Sequence, residues 1–141
     1  MGRKLGIDFG LKRTGIALTD ETNMIASPHE TVDSHLLMNY LKEIVVKYHV
    51  DTLVLGEPKR LDGTDTHISE NVRLLKTALE SVFVGIPVVL IDERFTSGMA
   101  FQTILAAGAN KKQRQSKALV DKVSAAIILQ SYLDRHIPDQ S

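Results

Sequence analysis

Val88-Val-Leu-Ile91 is the stretch that most restricts the fold. Four apolar residues between Pro87 and Asp92 are too few for a buried helix. A strand covered on both faces suits the run, and such strands belong to parallel pairings with helices packed on the sheet.

The flanking pattern supplies those partners. Residues 4–10 and 13–19 are short apolar runs around a Gly-containing turn and predict a β-hairpin. Residues 22–32 predict a third strand, with Pro28 marking an irregularity or an edge. Between Ser34 and His49, the residues Leu36, Leu37, Tyr40, Leu41, Ile44, Val45 and Tyr48 follow helical spacing, with Ser34 or Asp33 as N-cap. Asp51–Leu55 is a short strand ended by Gly56-Glu57-Pro58. A polar loop over 59–67 precedes a helix within 68–84, which Gly85 and Pro87 stop. Residues 96–107 predict a helix with Gly108 as C-cap, 108–116 a basic loop, and 116–136 a last helix. This order predicts an α/β fold: a mixed five-stranded sheet, first an antiparallel meander and then βαβ units, flanked by helices. The length of 141 residues fits one domain over 1–137, with 138–141 as a polar tail.

Composition narrows the chemistry. The chain has no Cys, which excludes a disulfide framework and any thiolate metal site and suits a cytoplasmic setting. No apolar run has the form of a signal peptide or a membrane span, so no membrane partner is expected. The balance of 17 basic and 17 acidic residues speaks against a uniformly basic nucleic-acid binder. Within 110–122, however, Lys111, Lys112, Arg114, Lys117 and Lys122 stand against Asp121 alone, a local charge able to bind phosphates.

The acids are the unusual feature. In the first strand Leu5, Ile7 and Phe9 occupy one face, and Gly6, Asp8 and Gly10 the other. Asp8 therefore has neighbours without side chains, where a ligand could approach the backbone. Asp92 and Glu93 follow directly on Val88–Ile91, at the carboxyl end of a strand where open α/β sheets bind ligands, and strand pattern alone leaves open which of them faces the ligand. Asp121 shares a helical face with Ala118, Ser124, Ala125 and Ile128, a small apolar surface on which a carboxylate is expensive unless paired or bound to a cation. A place in the first helical turn would be an alternative reason for this acid. Glu57 ends another strand and could join the cluster, whereas Asp20 and Glu21 read as turn residues. Acids gathered at one edge repel unless a cation lies between them. The five His residues show no ligand spacing, so hard oxygen donors for Mg²⁺ or Mn²⁺ are the chemistry that remains, as in metal-assisted phosphodiester cleavage. Lys12 and Arg13, at the hairpin tip, are either solvated or in contact with phosphate.

The segments GIDFGLKRTGIALTD, VLGEPKRLDGT, PVVLIDERFTS and KALVDKVSAAIILQSYL together resemble the YqgF (RuvX-like) family over residues 4–133. The resemblance implies an RNase H-like fold and a nuclease that matures the 5′ end of pre-16S ribosomal RNA or resolves Holliday junctions. Carried over by motif, it implies metal ligation by Asp8, Glu93 and Asp121, with Asp92 or Glu57 assisting and Arg94 near the scissile phosphate. Lys12, Arg13, Lys111, Lys112, Arg114 and Lys117 would hold nucleic acid. Glu57 departs from the family pattern, in which that position is more often apolar. Three functions follow: a metal-dependent nuclease on structured RNA, a resolvase of four-way DNA junctions working as a dimer, or a non-catalytic ribosome-assembly factor. The chain is expected as a monomer or weak homodimer. A kinase-like or actin-like ATP site needs two such domains, and this length allows one.

Overall fold

The computed structural model describes residues 2–58, 68–92 and 117–136. Its first three strands, β1 (Arg3–Asp8), β2 (Arg13–Thr19) and β3 (Ala26–Asp33), form an antiparallel meander. A 3-10 turn over Ser34–Leu36 leads into α1 (Leu37–Lys47), followed by β4 (Val50–Glu57), α2 (Ser69–Val82), β5 (Val88–Asp92) and α3 (Lys117–His136). The strands make one sheet in the order β3-β2-β1-β4-β5, with β4 parallel to both β1 and β5. The expected mixed five-stranded sheet is thus observed. The helix expected over 96–107 and the loops over 59–67 and 108–116 lie outside the described residues. No helix among the described residues is long and apolar enough to cross a membrane.

Strand alternation divides the core into two layers. Leu5 and Ile7, Ile16 and Leu18, and Leu53 and Leu55 share one face, buried against Leu37, Leu41 and Ile44 of α1 and Val72 and Leu79 of α2. The intervening residues Ala17, Val54 and Ile91 look the other way, onto Ala125, Ala126, Ile128, Leu129 and Leu133 of α3. Burial of each large aliphatic side chain contributes about 1.5–3 kcal/mol, so neither layer is dispensable. The Val88–Ile91 run is the last strand in the sheet order, with Val88 and Ile91 buried and Val89 and Leu90 only partly so.

Two register shifts punctuate the sheet. On β3, which lies at the opposite margin, Ile16 pairs with Glu30 but Ala17 with Pro28, so His29 is an extra residue. Pro28 accordingly marks both an edge and an irregularity. On β4, Arg3 pairs with Val50 but Lys4 with Thr52, which makes Asp51 an extra residue. Lys4 Nζ donates to Asp51 Oδ1 at 2.7 Å. Burial works against the charge on Asp51, yet the bonds from Lys4 and Thr52 hold its pKa below the ordinary value.

Helix α1 starts later than its pattern predicts because Ser34 is used elsewhere. The Ser34 hydroxyl donates to the Gly10 carbonyl and meets Thr14 Oγ1 at 2.8 Å, and the Ser34 amide donates to the Lys12 carbonyl at 2.9 Å. Neither Asp33 nor Leu36 supplies a side-chain cap to the turn or helix that follows it. Ser34 instead fastens the β1–β2 turn. β1 likewise ends at Asp8 rather than at residue 10.

Asp20 closes the β2–β3 connection: its Oδ1 accepts the amides of Met24 at 2.9 Å and Ile25 at 3.1 Å, and its Oδ2 accepts the Thr22 hydroxyl. The Thr22 hydroxyl first, and the Ile25 amide after it, lower its pKa from 3.8 to about 2. A carboxyl depressed in the folded state stabilises the fold above its unfolded pKa, and that contribution is lost as pH falls through the folded value. Asp20→Ala is therefore expected to unfold at lower urea than the wild type at neutral pH. The gap should narrow as pH falls from 3.8 to about 2, as urea titrations followed by circular dichroism can show.

Candidate carboxylate site at the carboxyl end of the sheet

Asp8 ends β1 and pairs in register with Gly15 of β2. Since Leu5 and Ile7 enter the α1–α2 layer, alternation turns Gly6 and Asp8 to the α3 face. The glycines there admit the helix. A Cβ on Gly6 would lie 2.7 Å from Leu129 Cβ and 2.8 Å from the Ala125 carbonyl oxygen. A Cβ on Gly15 would fall inside the Asp121 carbonyl group. The bare strip around Asp8 is therefore filled by α3 at Gly6 and Gly15, which corrects the expectation that Gly6 leaves room for a ligand at the backbone. Close approach delivers Asp121 to the strand residue directly opposite Asp8.

Arg13 completes this group. It lies two positions before Gly15 on the same face of β2, and its Nε donates to Asp121 Oδ2 at 3.0 Å. Their side chains are 39% and 26% exposed, so solvent screens the pair and its worth is about 0.2–1 kcal/mol. Asp121 sits beyond the first turn of α3, which holds no acid, so the helix dipole does not account for it. Arg13 is thus described by its ion pair across 108 residues of sequence, a partnership invisible to local pattern. Lys12 is exposed at the same hairpin tip.

The other two described acids face the opposite way. Glu57 and Asp92 are register partners at the ends of β4 and β5. Leu55 and Leu90, two positions earlier, belong to the α1–α2 layer, so alternation sets Glu57 and Asp92 on that face. Arg73 of α2 donates from Nε to Glu57 Oε2 at 2.9 Å. The Ser69 hydroxyl donates to the Pro58 carbonyl at 2.6 Å, which ties the exit of β4 to the start of α2. The structure brings Asp8, Asp121 and Arg13 together on one face, and Glu57, Asp92 and Arg73 on the other. Sequence reasoning did not single out Arg73, whose place on α2 becomes meaningful only once the phase of β4 is known.

Glu93, Arg94, Lys111, Lys112 and Arg114 lie outside the described residues, as does the side chain of Lys117. Among the described residues no group of three or more His, Cys, Asp or Glu side chains stands close enough to hold a metal. Asp8 and Asp121 offer hard carboxylate oxygens from two elements on one face, a donor set that fits Mg²⁺ or Mn²⁺ once a further ligand joins it.

Residues 2–135 match the model of a family described as RuvX: Holliday junction resolvase. A protein of Flavobacterium johnsoniae named "Putative pre-16S rRNA nuclease" is 46% identical over 133 residues, covering 94% of this chain and 96% of that protein. A Porphyromonas gingivalis protein of the same name is 46% identical over 140 residues, covering 99% of this chain and all of its own length, 100%. Among solved structures, T. thermophilus RuvC in complex with a Holliday junction substrate superposes with a TM-score of 0.60 at 14% identity, covering 96% of each chain. That likeness shows a shared RNase H-like α/β fold.

The seat of α3 is open to test. Gly15→Ala forces the helix off the sheet at Asp121 and is expected to cost about 1–3 kcal/mol in urea denaturation. Stability equal to the wild type would mean that α3 is not held at this contact.

Proposed function

The chain belongs to the RuvX family, and on that premise we propose that it is a metal-dependent nuclease that hydrolyses phosphodiester bonds in structured RNA, with the 5′ end of pre-16S rRNA as its substrate. One observation carries the reading: α3 is seated on Gly6 and Gly15, so that the carboxylate-bearing residues Asp8 and Asp121 share one face at the carboxyl end of β1. The relatives named as pre-16S rRNA nucleases support the substrate, since they align over almost the whole of this chain. An rRNA-processing role sets the protein in the cytoplasm.

Asp8 and Asp121 are the proposed ligands of Mg²⁺ or Mn²⁺. Glu93 is the third, because Asp92 shares the face of Glu57 rather than that of Asp8. When bound, such an ion supplies Lewis-acid stabilisation of the charge that develops on the phosphoryl oxygens. The chain's own groups orient the substrate. Lys12 at the exposed hairpin tip, with Lys111, Lys112, Arg114 and Lys117, neutralises backbone phosphates, and Arg94 serves the scissile phosphate. Glu57 and Asp92 take no part in this proposal: Arg73 holds Glu57 as a structural ion pair that fixes α2 to the end of β4.

A second reading rests on the family description. It gives the same carboxylates a four-way DNA junction, whose symmetric cleavage needs two copies of the site.

The deciding assay offers purified protein an rRNA 5′-leader precursor and a four-way DNA junction, each with Mg²⁺. Asp8→Asn should keep its fold by circular dichroism and lose cleavage by about a hundredfold or more. Cleavage undiminished in that variant removes Asp8 from the site. Cleavage of the junction alone replaces the RNA reading with the second one. RNA binding without metal-dependent cleavage of either substrate leaves an assembly factor.

Glu57→Gln separates the two faces. It is expected to lower the urea midpoint through loss of the Arg73 partner while Mg²⁺-dependent cleavage persists. A collapse of cleavage in a folded Glu57→Gln protein would put Glu57 in the machinery.

A further inference from the structure

We infer that Arg13 is an exchangeable counter-ion for the Asp121 carboxylate: its guanidinium holds Asp121 until a divalent cation takes that carboxylate over, and is then released toward the substrate phosphate. The inference rests on the metal-dependent reading above and adds a coupling to it.

The geometry defines the exchange. Arg13 and Gly15 lie two positions apart on one face of β2, Asp8 pairs with Gly15, and the Asp121 carbonyl lies over Gly15. The Arg13–Asp121 bond at 3.0 Å thus lies on the face of the sheet that carries both proposed ligands, Asp8 and Asp121. Two cations on the same carboxylate repel each other, and both side chains are partly open to solvent, so the guanidinium can leave without being stranded in the core. A divalent ion brings twice the charge and draws on Asp8 as well, so it takes precedence at Asp121. Arg13 stays anchored, because the turn before it is fastened by the Ser34 bonds to Gly10 and Lys12. A released guanidinium at that position presents the planar set of donors that suits a phosphate.

The sign of one measurement distinguishes this from simple positioning. If Arg13 only orients Asp121, its removal loosens a ligand and weakens metal binding. If it competes for Asp121, its removal tightens metal binding while RNA binding suffers. Isothermal titration with Mn²⁺ should therefore show Arg13→Gln binding about fivefold or more tightly than the wild type. Arg13→Lys, which keeps the charge, should stay near the wild type. In the presence of Ca²⁺, the RNA leader should bind Arg13→Gln more weakly than the wild type. Unchanged or weaker Mn²⁺ binding by a folded Arg13→Gln protein overturns the inference.

Should that variant fail to fold, the wild type answers by itself. Saturating Mg²⁺ should shift the Arg13 Nε–Hε resonance from its ion-paired position, and a resonance that does not move overturns the exchange. Asp8→Asn tells the two levels apart. Wild-type Mn²⁺ binding that Asp8→Asn does not weaken defeats the nuclease site and the exchange together. Binding that depends on Asp8 but not on Arg13 defeats the exchange alone.

Discussion

The contact on which the rest of the structure depends is the seating of α3 on the sheet at Gly6 and Gly15. The backbone of the helix occupies the space where a Cβ would stand on either strand. Such proximity shuts water out of the Ala125–Leu129 layer and sets the height of the helix above β1 and β2. It also fixes which helical residue arrives at the end of β1. Asp121 reaches Asp8's neighbour because its carbonyl rests on Gly15, and Arg13 meets its carboxylate from the same strand. Packing and electrostatics are thus one arrangement: the small residues that let the helix descend also bring the charges together.

Much of this was readable from the chain because apolar periodicity is a strong local signal. β2 runs over the predicted residues, the last helix begins within a residue of its predicted start, and Asp8 and Asp121 stood out as acids on faces that ought to be apolar or bare. The departures have particular causes. The predicted cap Ser34 serves the hairpin turn, which delays α1 to Leu37. The expected start of the third strand is occupied by the loop that Asp20 organises, so β3 begins at Ala26. β4 extends past Leu55 because Gly56 and Glu57 continue to pair with β5. No local pattern could pair Arg13 with Asp121 or Arg73 with Glu57, for those are products of tertiary packing across distant segments.

The end of the sheet carries acids on both faces, and the fold treats the two sets differently. Glu57 is 13% exposed and held by an arginine from a helix whose start is itself tied to Pro58. Asp121 is twice as open, at 26%, and its arginine comes from a strand rather than from the packed α2. Separation by the sheet keeps like charges apart, so the α3 face need not accommodate four carboxylates at once. It also concentrates the chemically available acids on the side that the hairpin tip overlooks.

The spare residue at Asp51 has a consequence some 20 Å away, roughly six residues of extended chain further along β4. Parallel neighbours share a face, and the surplus residue is what brings Leu53 and Leu55 level with Leu5 and Ile7 rather than one position out of phase with them. Were Asp51 to pair with Lys4 instead of bulging, with Arg3 still on Val50, every later residue of β4 would slip one position along β1 and Glu57 would turn to the face of Asp8. The bulge clasped by Lys4 therefore acts as a parity switch written at the near end of the sheet, and the side on which β4 delivers its acid at the far end is the bit that it sets.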